Sequence, residues 1–527
     1  MGGVTSSRIA RGIVRAKFPN RTLVPVALVL AGLVTIAVAP ALAQTAGLDD
    51  QILPVIRGTT PGASLVLPAP ADPLANAPIN YGRPRKPIKL LPKAKGRPNL
   101  RPLPPLQPYR TAPGSKGRSG AQFQSERDPT TAAIPTLPQP RRRLVEDHPF
   151  DPVGLPVGSL RLTPYVESDI GYDSNPNRLN KKGKGTLFAR GEAGASLKSD
   201  WSVHAFDATL RGGYSDYFAQ RDANRADANL VANARIDASR DTALDFQGRF
   251  VLDSQRAGTA GVLSAASLAS RPLTYAYGES AGITQKVNRL TLLLRGSIDR
   301  STFDNARLSG GGTINLAIQD YSTYGLRGRI SYEVTPGIIP FVDVVADTRR
   351  YDSRLDASGF ARSSDGLAVK AGTSFELSRI LTGEVAAGYG HRSYQDARLK
   401  PLAGPTIDAA LIWTASPLTT ITARAATSLA EASIANSSGA LTRTLQLAAA
   451  HALFRNFTLS GVATWQNTDY QGVALKENLY SVGLKAEYNL TRSVVIRSSF
   501  THDRLQSSTP GADYTANTVL LGLRLQR

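Results

Sequence analysis

Histidine is the residue type most often found binding metal or moving protons, so His148, His204, His391, His451 and His502 are the first candidates for chemistry. They are scattered, with no pair at metal-ligand spacing and no His-Glu-x-x-His pattern, so neither a metal nor another cofactor is expected. The absence of cysteine excludes thiolate ligands, a thiol nucleophile and disulfides. Gly183-Lys184-Gly185-Thr186 resembles a phosphate loop only in part, because the glycine four residues before a Gly-Lys-Thr unit is missing. No spacing singles out a serine and histidine for hydrolysis. The chain reads as a protein without enzyme activity.

What remains is charge in rows. Arg235, Arg249, Arg295, Arg327, Arg329, Arg497 and Arg524 fall on the same polar faces as Asp237, Asp245, Asp253, Asp299, Glu333, Glu376 and Glu487. Rows of both signs facing a wet lumen would set a transverse field and tune ion selection. Charges that pair and fill the space would plug it instead.

The elements carrying these charges have a period of two. In Thr323 to Val334, Tyr324, Leu326, Gly328, Ile330, Tyr332 and Val334 alternate with Thr323, Gly325, Arg327, Arg329, Ser331 and Glu333. Leu244, Phe246, Gly248, Phe250 and Leu252 likewise face away from Asp245, Gln247, Arg249 and Asp253. Successive side chains of a strand point to opposite faces, so each segment has a greasy side and a wet side.

A soluble sandwich and a membrane barrel both meet that pattern, and the connections decide between them. Tight turns occur near Asp200, Asp241, Asn288, Pro336, Ser378, Pro417, Asn456 and Arg492, with longer polar connections such as Asp304 to Gln319 between them. This alternation predicts an all-β fold: a transmembrane, antiparallel, up-and-down β-barrel with hairpin turns at one rim and loops at the other. Counting gives about eighteen strands, sixteen being the lower count, each of about 9 to 12 residues, as a tilted strand needs to cross a bilayer. A barrel of that size leaves an aqueous channel. Tyr165, Tyr172, Trp201, Tyr275, Tyr351, Trp413, Trp465, Tyr470 and Tyr514 fall near the rims and suit aromatic girdles, as does ordinary strand preference.

Three segments follow from composition. Residues 1–43 read as a signal peptide: five basic residues and no acidic one, an apolar stretch from Thr22 to Val38, then Ala41-Leu42-Ala43 as a cleavage site. Residues 44–158 hold 22 of the 34 prolines and carry +8 of the net charge of +21, which predicts a disordered, basic, proline-rich periplasmic segment. Residues 159–527 hold nine prolines and another +8, and form the outer-membrane β-barrel. The basic segment reads as a solvated linker, with contact to anionic cell-wall material as the functional alternative, whereas nucleic acid is not an expected partner because aromatic interleaving is thin.

Thr163-Pro164-Tyr165-Val166-Glu167, followed by Gly171-Tyr172-Asp173-Ser174-Asn175-Pro176-Asn177-Arg178, resembles the opening signature of the putative β-barrel porin type 2 family of outer-membrane proteins. The resemblance covers roughly Ser159 to Arg527 and implies an outer-membrane, porin-like barrel with no assigned enzyme activity or cofactor. From their types alone, Asp173 to Asn177 suit a turn with side-chain caps better than an ion site. Such barrels often finish in an aromatic residue that assembly machinery recognises, and this chain ends Leu525-Gln526-Arg527.

The expected function is a passive diffusion channel in the cell outer membrane for small hydrophilic solutes, with weak anion preference. Its expected partners are outer-membrane lipid, the barrel assembly machinery and cell-wall material; the pattern is compatible with an oligomer. The alternatives are a non-conducting surface-adhesion or envelope-tethering barrel, and an export channel for a polymer.

Overall fold

A computed structural model describes residues 150–527 apart from 181–183, 256–267, 379, 431, 433 and 435. The expected signal peptide, the proline-rich segment up to Pro149, His148 and Gly183 lie outside the described residues.

Eighteen long strands follow in chain order. They are β1 (Leu160–Asp173), β2 (Thr186–Ser199), β3 (Ala205–Tyr217), β4 (Arg225–Asp237), β5 (Thr242–Ser254), β6 (Leu273–Val287), β7 (Leu290–Phe303), β8 (Tyr321–Tyr332) and β9 (Ile338–Tyr351). The remainder are β10 (Ser364–Ser378), β11 (Leu381–Tyr394), β12 (Leu402–Ser416), β13 (Thr419–Ala430), β14 (Gly439–Phe454), β15 (Phe457–Gln471), β16 (Lys476–Asn489), β17 (Val494–Ser507) and β18 (Tyr514–Gln526). Each pairs antiparallel with its predecessor, and β18 pairs with β1 from Tyr165–Gln526 to Asp173–Thr518. The sheet is therefore a closed eighteen-stranded barrel with no free edge. Before it, the short strand Leu155–Val157 folds back on the start of β1.

The connections alternate as the turn signals predict. After each even-numbered strand up to β16 the chain reverses within two to five residues, and both ends of the barrel chain lie at that same rim. The connections at the other rim run from four to eighteen residues. The strands have 12 to 16 residues rather than 9 to 12, because ladder pairing continues past the apolar stretch into polar residues such as Arg349, Arg350 and Tyr351 at the loop rim.

Side-chain direction follows the alternation. On β1, Val166, Ile170 and Tyr172 are exposed while Glu167, Asp169 and Asp173 are buried inside; on β18, Val519, Leu521, Leu523 and Leu525 are exposed around buried Arg524. A two-sheet stack with a dry core would reverse this. Leaving a leucine-sized group in water forgoes roughly 1.5–3 kcal/mol, so an outer face built this way requires hydrocarbon. Glu279, at the middle of β6, is an exception: it is exposed on the outer face between Gly248 and Ile298 and has no ion-pair partner among the described residues.

The aromatic candidates divide between the two faces. Tyr172, Trp413 and Trp465 face outward, and Trp201 sits exposed in a turn with its Nε1 donating to Ser159 at 2.7 Å. Tyr165, Tyr470 and Tyr514 point inward and are buried, and Tyr351 packs on the buried Tyr321, so these four cannot serve a girdle.

Candidate functional site

The inner wall is the site to build, and its charges come from alternate residues of neighbouring strands. Arg235, on β4, places Nε 3.0 Å from Asp237 and Nη1 3.7 Å from Asp245 of β5. Arg249, on β5, donates through Nε to Asp299 of β7 at 2.8 Å. On β8, Arg327 bonds Asp343 of β9 at 2.9 Å, and Arg329 reaches both Asp343 and Glu384 of β11 at 2.9 Å. The guanidinium of Arg329 also lies 3.8 Å from the centre of the Phe341 ring.

A second network crosses the barrel seam. Arg497 of β17 lies 2.7 Å from Glu167 of β1 and 2.8 Å from Glu487 of β16, which also meets Lys485 at 3.0 Å. Arg524 of β18 reaches Glu167 at 2.6 Å and lies 4.0 Å from the centre of the Tyr165 ring. Arg295, on β7, donates to the Ser280 hydroxyl at 3.4 Å. Two candidates sit at the turn rim rather than along the wall. Glu333 lies just past the end of β8, inside a turn, and Glu376 is next to a register shift near the end of β10.

Glycine shapes these contacts. Arg249 and Asp299 stand on either side of Gly278 of β6 in one row, and a Cβ there would strike the Asp299 carboxylate. Gly366 of β10 lies in the same way between Asp347 and Arg392, which form an ion pair, and its Cβ would fall 2.7 Å from Arg392 Nη2. Gly213 of β3 sits under the Arg190–Asp227 pair of 2.7 Å, and Gly522 of β18 under the Arg497–Glu167 pair. In each case an arginine crosses one strand to meet an acid on the next but one, and the missing side chain lets the pair lie flat against the wall. Close ion pairs hold their geometry best when each charge keeps further hydrogen bonds, as Arg190 does with Ser215 and Glu192.

At the loop rim the family-like residues build the mouth. Gly171 leaves room for Phe188, whose ring a Cβ would meet at 2.7 Å, while Tyr172 turns to the outer face. The Asp173 carboxylate accepts the Asn175 N–H at 2.9 Å and Arg178 Nη1 at 2.8 Å, the capped turn that the residue types suit. Asn175 Nδ2 donates to the carbonyls of Leu179 and Thr515 at 2.8 and 3.1 Å. Arg178, at a φ of 53°, also lies 3.6 Å from Asp503 of β17. Burial works against its charge, but Asp173 and Asp503 outweigh that and raise its pKa above the usual arginine range.

This turn is clamped from two other loops. Arg271, in the connection before β6, donates to the Pro176 carbonyl at 2.9 Å and to Asn177 Oδ1 at 3.2 Å. Asn177 in turn donates to Asp222, beyond β3, at 2.6 Å. Further round the rim, Arg362 ties its own loop to the β13–β14 connection through the carbonyls of Ile434 and Ser437 at 3.0 and 2.8 Å.

Reasoning from types missed Glu167, Asp343, Asp347, Glu384, Lys370, Asp408 and Arg392, all inward and buried. Their signal was available, since each occupies the wet parity of its strand. Its weakness on β11 and β12, where alanine and glycine stand on both faces, hid Glu384 and Asp408. Among the described residues no cluster of histidine and carboxylates could hold a metal ion.

No curated protein matches the chain. Among solved structures, the barrel is similar to OccK2 (OpdF) of Pseudomonas aeruginosa, at 10% identity over 70% of this chain and 98% of that one, with a TM-score of 0.36. It is also similar to the FrpB iron transporter of Neisseria meningitidis, at 8% identity over 69% and 81%, with a TM-score of 0.37. Similarity to the ferric citrate transporter FecA in its unliganded form has 10% identity and a TM-score of 0.37, over 66% of this chain. There the chain spans 60% of the length of its counterpart. The family model described as Putative beta-barrel porin 2 matches residues 148–527, the whole of the barrel, and the chain belongs to that family.

Proposed function

We propose that this chain is a passive, non-enzymatic diffusion channel of the cell outer membrane, passing small hydrophilic solutes with weak anion preference. In this reading a cleaved signal peptide (residues 1–43) exports it unfolded and the barrel assembly machinery inserts it. The basic proline-rich segment then extends from the turn rim toward cell-wall material.

One observation carries the reading. Inward charges such as Arg190, Arg329 and Arg497 are matched by partners one to three strands away, several of them over glycines that let the pairs lie flat against the wall, an arrangement that supports an open axis in an eighteen-stranded barrel. The anion preference is supported by the +8 carried from Ser159 onward.

The test is reconstitution of the full mature chain in planar bilayers under a salt gradient. Stepwise conductance with a reversal potential displaced toward the anion is expected. Absence of conductance would remove the channel reading and favour a tethering or adhesion barrel.

A further inference from the structure

The flat bridges over Gly213, Gly278, Gly366 and Gly522 have a fifth counterpart that is not closed. Gly282 of β6 stands in one row with Asp245 of β5 and Arg295 of β7. The Arg295 side chain lies over it, since a Cβ there would fall 3.2 Å from Arg295 Nε. Yet Arg295 makes no ion pair among the described residues. Asp245 is engaged elsewhere, 3.7 Å from Arg235 and accepting the Thr284 hydroxyl at 3.3 Å.

The surroundings of Arg295 favour an anion. Arg327 faces it directly across the β7–β8 pair, and like charges in that position repel unless a counter-charge sits between them. The charge of Arg327 is taken up by Asp343 on its far side, and that carboxylate is shared with Arg329. Ser280, which accepts from Arg295 at 3.4 Å, is directly opposite Ser297. Two hydroxyls and a planar guanidinium on one patch of wall are the donors that a carboxylate or phosphate oxygen accepts from, and the guanidinium fork can meet two such oxygens at once.

We infer that Arg295, with Ser280 and Ser297, is a docking point for small oxyanions, carboxylate or phosphate, on their way through the lumen. The assignment rests on the channel reading and gives the anion preference a place: four bridges keep the wall neutral, and the open one offers a cation to the solute.

The experiment uses the full mature chain in planar bilayers, with gluconate and inorganic phosphate as separate probes added to a chloride current. Both, or one of them, should block the wild-type current. In Arg295→Gln the half-blocking concentration should rise by about tenfold, the scale of losing one charge-assisted, bidentate contact. Arg295→Lys keeps the charge but not the fork, so the chloride reversal potential should hold while the block weakens. Arg240→Gln removes a positive charge from the exposed turn between β4 and β5, away from the inner wall, and should change neither. Equal block in wild type and Arg295→Gln, in channels that conduct normally, overturns the docking point and leaves the channel. A wild-type protein with no current removes the channel reading, and titration calorimetry of the detergent-solubilised chain with phosphate then decides the docking point: heat lost in Arg295→Gln supports it, and no heat in the wild type overturns it.

Discussion

Arg497 of β17 and Glu167 of β1 meet at 2.7 Å across the strand that closes the barrel, and Gly522 of β18 lies beneath the crossing. The seam is the one place where strands distant in sequence must find each other, and Arg524 adds a second contact to the same carboxylate. Both arginines are buried, and Glu167 compensates both of them, sharing Arg497 with Glu487.

Gly522→Ala is therefore expected to destabilise the closed barrel. A Cβ at that position collides with the buried Asp169 carboxylate, and overpacking of this kind costs about 1–3 kcal/mol. The measurement is the temperature at which the compact form converts to the slower-migrating unfolded form on a gel. A conversion temperature equal to wild type would mean that the seam tolerates a side chain and that the close approach has no energetic role.

The two faces should respond oppositely to the same charge. Leu326 is 53% exposed on the outer face of β8, whereas Gln247 of β5 faces inward and donates to Asn233 at 3.0 Å. Leu326→Arg should cost about 2–4 kcal/mol near the bilayer midplane, and Gln247→Arg close to nothing because it stays in water. Equal penalties in reversible unfolding from lipid vesicles would contradict the assignment of faces. By the same logic Glu279→Leu should raise stability in vesicles, unless Glu279 is covered by another protein in the membrane.

Much of this architecture was legible in the sequence because a barrel is a local code. Parity fixes the face, as Tyr324 to Val334 and Arg327 to Glu333 show, and turn residues fix the rim, as Asn288-Arg289 does. The ion-pair partners were not legible. Arg392 and Asp347 are 45 residues apart and meet only because the register of β9, β10 and β11 brings them to one row over Gly366. Nor does parity say how deep a rim aromatic sits: Tyr165 and Tyr514 occupy inward positions that the strand preference of tyrosine disguises. Clamping of the Asn175–Arg178 turn by Arg271 joins loops almost a hundred residues apart, which no local pattern encodes.

Acid should loosen one loop contact late. Asp396, in the β11–β12 connection, accepts Arg398 Nη2 at 2.7 Å and the Ala361 N–H at 3.1 Å. The Arg398 hydrogen bond, followed by that amide, holds the carboxyl below the usual carboxylate range. A depressed folded-state value means that the contact contributes fully above the unfolded value of about 4 and is lost only as pH falls through the lower folded value. Carbon-13 titration of the Asp396 carboxyl in detergent should therefore show it still charged at about pH 4. A midpoint at or above the unfolded value would show that the Arg398 contact does not persist in solution.

Opening the mouth is the sharpest test of what the family-like turn does. Asn175, Pro176, Asn177 and Arg178 are all buried at the loop rim, and Arg271 reaches the Pro176 carbonyl from a connection four strands away round the barrel. Such a contact is expected to draw both loops in over the lumen and to narrow the entrance. Arg271→Ala removes the donors to Pro176 and Asn177 while leaving Asp173, Arg178 and the strand ladders untouched. It should raise single-channel conductance and the uptake rate of the larger hydrophilic solutes by about twofold or more, a charge-assisted hydrogen bond being worth roughly 1.5–3 kcal/mol to the closed arrangement. Reversible unfolding should change little, because the barrel closes without this contact. Unchanged conductance and unchanged solute size limits would show that the turn packs against the wall without constricting the path, and that its buried asparagines serve the barrel rim alone.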